Sequence, residues 1–143
     1  MSLWDKFWNW LAGPVPTERP RALQAGGVLN QAEIRFTTRE TVLLKTDVTG
    51  TGGKLLLQAG IEVAYRVGQG PHAVKIRLYR DGQMLAESLP HHVNSFCPVV
   101  TITMAGADPI GIGRYTYSLR AVVQDGEQAY ACHPWLIWVE GRA

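Results

Sequence analysis

From about residue 32 onward, the apolar residues of this chain recur at every second position, with no helical stretch between them. That period constrains the fold more than any other feature, because side chains of a strand alternate between two faces. The clearest run is Lys54 to Val67. Leu55, Leu57, Ala59, Ile61, Val63, Tyr65 and Val67 share one face, and Lys54, Gln58, Glu62 and Arg66 the other, with Leu56, Gly60 and Ala64 between them. Val74, Ile76 and Leu78 alternate with Lys75 and Arg77, Asp81-Gly82 makes a two-residue hairpin turn, and Gln83 to Leu89 returns. Pro98 to Met104 and Arg114 to Val123 alternate in the same way. Asp125-Gly126 marks a second tight turn into Ala129 to Val139, a strand interrupted at Pro134. With Ala32 to Thr37 and Thr41 to Val48, the pattern predicts an all-β antiparallel sandwich or jelly roll of about eight strands.

Size and charge narrow the class further. A chain of 143 residues has length for one domain. It can bury roughly two-thirds of its unfolded surface, so it folds without needing disulfides. Hydrophobic residues make up 46% and charged residues 18%, far from the composition of disordered chains. The net charge is only +2, and the basic residues are scattered, so no nucleic acid is expected as partner. No run approaches the ~20 apolar residues of a spanning helix. Asp5 and Lys6 break what would have to be the apolar region of a secretory signal. Two cysteines, Cys97 and Cys132, are expected as free thiols in a protein made in the cytoplasm.

The first thirty residues depart from the pattern. Residues 2–12 read as a short amphipathic helix, with Ser2 as N-cap, Asp5 three positions later, and Gly13-Pro14 as its stop. Leu3, Phe7, Trp10 and Leu11 share a face, with Trp4 and Trp8 beside it. A helix this short is marginal alone in water, so it needs a surface to rest on. The division expected is an anchor helix over 1–12, a Pro/Gly linker arm over 13–30, and a β-sandwich over 31–143. Leu3, Trp4, Phe7, Trp8, Trp10 and Leu11 are the partner-binding candidates, because aromatic side chains dominate interface energy. A cap folded back on the sandwich is the competing reading. A membrane surface is not the expected partner, since the helix lacks a basic polar face.

Two segments carry a family likeness. Val74-Lys75-Ile76-Arg77-Leu78-Tyr79-Arg80-Asp81-Gly82 with Leu85-Ala86-Glu87-Ser88, and Gly113-Arg114-Tyr115-Thr116-Tyr117-Ser118-Leu119-Arg120-Ala121, resemble strands of jelly-roll domains in tailed-bacteriophage virion proteins. Those domains occur in decoration proteins, head fibres and tail-fibre tips, and are similar to the tumour-necrosis-factor jelly roll. The likeness covers roughly residues 40–125. It implies a homotrimer within a virion, with other capsid or tail proteins as partners, and brings no catalytic residue with it. Residue by residue, Arg80-Asp81-Gly82 is a hairpin tip and Tyr115 and Tyr117 are core aromatics. A carbohydrate- or receptor-binding module at a fibre tip is the alternative, so a glycan stays open as ligand.

No residue set spells out a catalytic centre. His91-His92, Cys132-His133 and Cys97 are zinc-ligand types, but neighbours on a strand point to opposite faces, so no metal and no cofactor are expected. Ser88 and Ser95 flank the histidines without a nucleophile elbow. Glu62 and Glu87 fall on polar faces rather than in a paired cleft. Gly106 to Gly113 lacks the lysine and following helix of a phosphate loop and reads as a flexible connection.

Overall fold

The computed structural model describes residues 2–4, 24–66, 70–96 and 98–142. Ten strands follow in order: β1 (Gln24–Leu29), β2 (Ile34–Thr37), β3 (Thr41–Thr51), β4 (Lys54–Ala64), β5 (His72–Arg80), β6 (Gln83–Glu87), β7 (His91–Val93), β8 (Val99–Pro109), β9 (Ile112–Asp125) and β10 (Gln128–Gly141). They form two five-stranded antiparallel sheets. In one, β1 pairs with β10, β10 with β4 and β4 with β8, while β2 also pairs with β10. In the other, β3, β9, β5 and β6 follow one another, and β7 also pairs with β5.

The pairing registers reduce ten strands to eight columns. β1 pairs with residues 135–140 of β10 and β2 with residues 128–131, on the edge of β10 away from β4. They act as one interrupted edge strand. β6 and β7 divide the edge of β5 in the same manner. The result is two sheets of four columns in jelly-roll order, which is the sandwich predicted from the alternation.

Where the expectation named strands, the structure has them, with ends displaced by a few residues in either direction. It differs at three places. Gln24–Leu29 is a paired strand, so the linker predicted over 13–30 does not include residues 24–29. β7 (His91–Val93) is a short strand that the alternation did not name. Gly106–Pro109 continues β8, leaving only Ile110-Gly111 between β8 and β9 in place of a flexible connection. The helix expected over residues 2–12 lies mostly outside the described residues, of which Leu3 and Trp4 have helical backbone. Of the predicted anchor only Leu3 and Trp4 are described, both exposed, while Phe7, Trp8, Trp10 and Leu11 lie outside the described residues.

The core is the stack of inward rows. Leu55, Leu57, Ala59, Ile61 and Val63 of β4 face the other sheet's Val74, Ile76, Leu78, Tyr117, Leu119, Ala121 and Val123, all buried. Burying each large aliphatic side chain contributes roughly 1.5–3 kcal/mol, which makes this interdigitated layer the main source of stability. Tyr117 is a core aromatic as expected, and Tyr115 packs beside it.

Cys132 is half-buried on β10, opposite Glu62 of β4. Cys97 lies outside the described residues, and Cys132 is a free thiol. Alkylation without reductant followed by mass spectrometry should find both cysteines modified; an unmodified pair overturns this.

Candidate functional site

Three carboxylate networks hold strands of the sandwich together. Asp108, buried on β8, accepts hydrogen bonds from the Tyr117 hydroxyl at 2.6 Å and from Arg80 at 2.8 and 3.0 Å. Burial first, and then the Asp108 bond, push the Tyr117 hydroxyl far above the usual phenol range. Glu140, fully buried on β10, accepts from Thr51 N, Thr51 Oγ1, Gly53 N and Gln24 Nε2 at 2.8, 2.9, 3.1 and 2.6 Å. Burial pushes its carboxyl up, but those four donors outweigh burial and hold it below the usual glutamate range.

A third network covers the outer face of the second sheet. Arg77 and Arg120 are direct cross-strand neighbours, an arrangement that repels unless a counter-charge intervenes. Glu40 supplies it, accepting from Arg77, Arg120 and the Tyr79 hydroxyl at 2.9, 3.0 and 2.7 Å. The Arg120 guanidinium lies 4.0 Å from the Tyr79 ring centre. Burial raises the Glu40 carboxyl, and its bonds to Tyr79, Arg77 and Arg120 bring it below its ordinary value. Glu87 is held low by Arg77 and Lys75.

The sequence candidates for chemistry are therefore dispersed. Glu62 and Glu87 sit on the outer faces of different sheets, so no carboxylate pair brackets a substrate. Ser88 Oγ accepts from Ile76 N and donates to Leu89 O, both at 3.0 Å, which makes it a strand tie. His91 lies on β7 and His133 in a break of β10, and no group of three metal-ligating residues converges among the described residues.

The surface that stands out is the outer face of the first sheet, and a bulge creates it. Between Cys132 and Trp135 the register of β10 slips, with His133 at φ 50°. Before the slip, Ala129 and Ala131 point inward; after it, Leu136 and Glu140 do. Trp135, Ile137 and Val139 are thereby turned to the outside. Register then builds rows across the face: Ala25, Val139, Leu56 and Ala107; Gly27, Ile137, Gln58 and Ala105; Leu29, Trp135, Gly60 and Thr103. Leu29 and Leu56 are each 56% exposed, Ile137 47% and Val139 41%. An antiparallel sheet normally turns a polar face to water. This one does not.

Trp135 closes one side of a groove on that face. A Cβ built on Gly60 would stand 2.7–2.8 Å from three atoms of the indole, so the ring lies across the glycine and any larger residue displaces it. Gln58, Thr103, Met104 and Ala105 complete a groove of about 400 Å³. Sequence reasoning missed this site, although Gly60 inside the strongest strand was the available signal.

No protein-family model and no curated protein matches the chain. Solved structures do. The fold is similar to particles of infectious bursal disease virus, with a TM-score of 0.54 at 12% identity, over 89% of this chain and 35% of the viral one. A mutant VP2 protein of the same virus, in T=1 particles, gives 0.51 at 10% identity, over 90% and 35%. A looser likeness, 0.42 at 15% identity over 94% and 96%, is to the sugar-binding C-terminal domain of EclA, and no argument follows from it. The chain spans about a third of the viral chains it matches, and identity this low shows a shared fold alone.

Proposed function

We propose that the chain is a non-enzymatic virion structural protein, of decoration or fibre type on the capsid or tail of a bacteriophage. In this reading it assembles as a homotrimer, is made in the host cytoplasm, and is held to other virion proteins by its N-terminal arm. One observation carries the proposal: the exposed apolar strip of Leu29, Leu56, Ile137 and Val139 on the first sheet. Contiguous apolar surface of this kind marks a protein contact. A closed threefold assembly would cover it with copies of itself. The jelly-roll likeness to a viral capsid protein and the structural engagement of Asp108, Glu140, Glu40 and Glu87 support the same reading.

Sedimentation at micromolar concentration should show three times the 15.8 kDa chain mass. The double substitution Leu56→Lys and Val139→Glu places an opposite-charge pair at cross-strand neighbours on the exposed strip. It should give monomers whose melting temperature stays within the range of surface changes, about ±0.5 kcal/mol. A wild-type chain that sediments as a monomer overturns the trimer.

A further inference from the structure

We propose that the Trp135 groove is a binding site for a neutral hexopyranose. The inference stands on this groove and not on the virion reading. The groove sits toward β8, beside the apolar strip that runs along β1 and β10.

Three observations converge on the ligand class. The first is a flat aromatic wall: the indole is seated on Gly60 and reaches the surface through the bulge that turned it outward. A ring fixed against backbone offers its free face without losing side-chain entropy on binding. The second is the polar pair. Gln58 supplies an amide that both donates and accepts, and Thr103 a hydroxyl, on adjacent strands of the exposed face. The third is charge. None of the five lining residues is ionisable.

Those properties exclude the other small-ligand classes in turn. A wholly apolar ligand would strip water from the Gln58 amide and Thr103 hydroxyl without replacing their hydrogen bonds. A charged ligand would find no counter-charge in the lining. A sugar ring has an apolar C–H face for the indole and hydroxyls for the amide and the threonine. The volume of about 400 Å³ lies inside the range of roughly 300–1,000 Å³ typical of small-ligand sites.

The test is a titration of the full chain with maltohexaose, cellohexaose and chitohexaose, followed by NMR of the nitrogen-labelled tryptophan indoles. The Trp135 signal, assigned from Trp135→Phe, should move and saturate with at least one oligomer, with a Kd on the order of 1 mM. Trp135→Ala should abolish binding, and Gln58→Ala should weaken it by about tenfold. Gly60→Ala, which tilts the platform without touching either polar group, should weaken binding too. The site is overturned if no oligomer moves the Trp135 signal, or if Trp135→Ala binds as tightly as wild type. It is overturned equally if the signal moves with protein concentration alone and sugar adds nothing, because a second copy then fills the groove. Sedimentation of Trp135→Ala separates the two ideas: a lost sugar response with unchanged mass supports the groove and leaves the trimer untouched.

Discussion

Deleting residues 1–30 should lower the melting temperature by more than about 5 °C, roughly 2 kcal/mol for a domain of this size, whereas deleting only residues 1–22 should leave it unchanged. The difference is β1. Gly26 and Gly27 lie directly against Trp138 and Ile137, and a Cβ on Gly26 would stand 2.5 Å from the Trp138 ring. Removing the strand uncovers that half-buried indole and takes away Val28, which packs against the core. It also takes away Gln24, one of the donors on Glu140, and Asn30, which hydrogen-bonds to Leu43 O at 3.2 Å and to Pro134 O at 2.9 Å. The edge of β10 would then present unpaired backbone groups, so the shorter chain should also aggregate. Incorporation into particles should fail for both deletions, since both lack the anchor residues. Equal melting of the 1–30 deletion and the full chain would show that β1 contributes nothing. A lower melting point for the 1–22 deletion would show that the arm packs on the sandwich.

The eight columns were legible because their inward rows are unbroken. Leu55 to Val63 and Tyr115 to Val123 alternate without a fault, and in the structure every inward residue of those rows is buried or packed against the core. Two short strands were hidden by their residues. Gln24–Leu29 contains Gly26-Gly27, which lowers strand propensity and signals a joint when the chain is read alone. The Trp138 indole occupies the space a side chain at Gly26 would need, and Ile137 and the Leu136 carbonyl crowd Gly27, tertiary causes that no local window contains. His91–Val93 is three residues long, too short for any period to register.

The site was less legible than the fold for one physical reason. A bulge changes which parity faces the core, and periodicity assumes the parity is constant. Carried straight through Pro134, the alternation of Ala129 and Ala131 puts Trp135, Ile137 and Val139 inside. The slip between Cys132 and Trp135 puts them outside and gives the first sheet its apolar outer face. Leu56 on the neighbouring strand was visible beforehand as an apolar residue on the wrong face, and it now has Val139 as its cross-strand neighbour.

Replacing Glu140 with alanine should be the most damaging single change in the molecule. The carboxylate sits at the point where three elements meet: the Thr51–Gly53 turn joining β3 to β4, the end of β10, and Gln24 at the start of β1. Gly53 is pressed closely on Gly141 O and Glu140 Cγ, so the turn is seated directly on the end of β10. Removing the carboxylate costs about 3–5 kcal/mol in all, at about 1–3 kcal/mol for each buried donor left unsatisfied. At roughly 2–4 °C per kcal/mol, that is a fall of about 6–20 °C in melting temperature. Glu140→Gln keeps the shape but turns one acceptor into a donor facing Thr51 or Gly53, so it should fall between alanine and wild type. The same carboxyl makes an acid limb. Its folded pKa lies below the ordinary glutamate value of 4.5, so its stabilising contribution is complete above about that pH and disappears as pH falls through the folded value. Glu40, Glu87 and Asp47, also shifted downward, act in the same direction. Thermal melts between neutral pH and pH 3 should therefore show wild-type stability dropping more steeply below about pH 4.5 than that of Glu140→Gln, whose amide has no proton to take up. Parallel curves for the two proteins would mean that Glu140 carries none of the acid sensitivity, and the latch between the turn and the two strands would have to be assigned elsewhere.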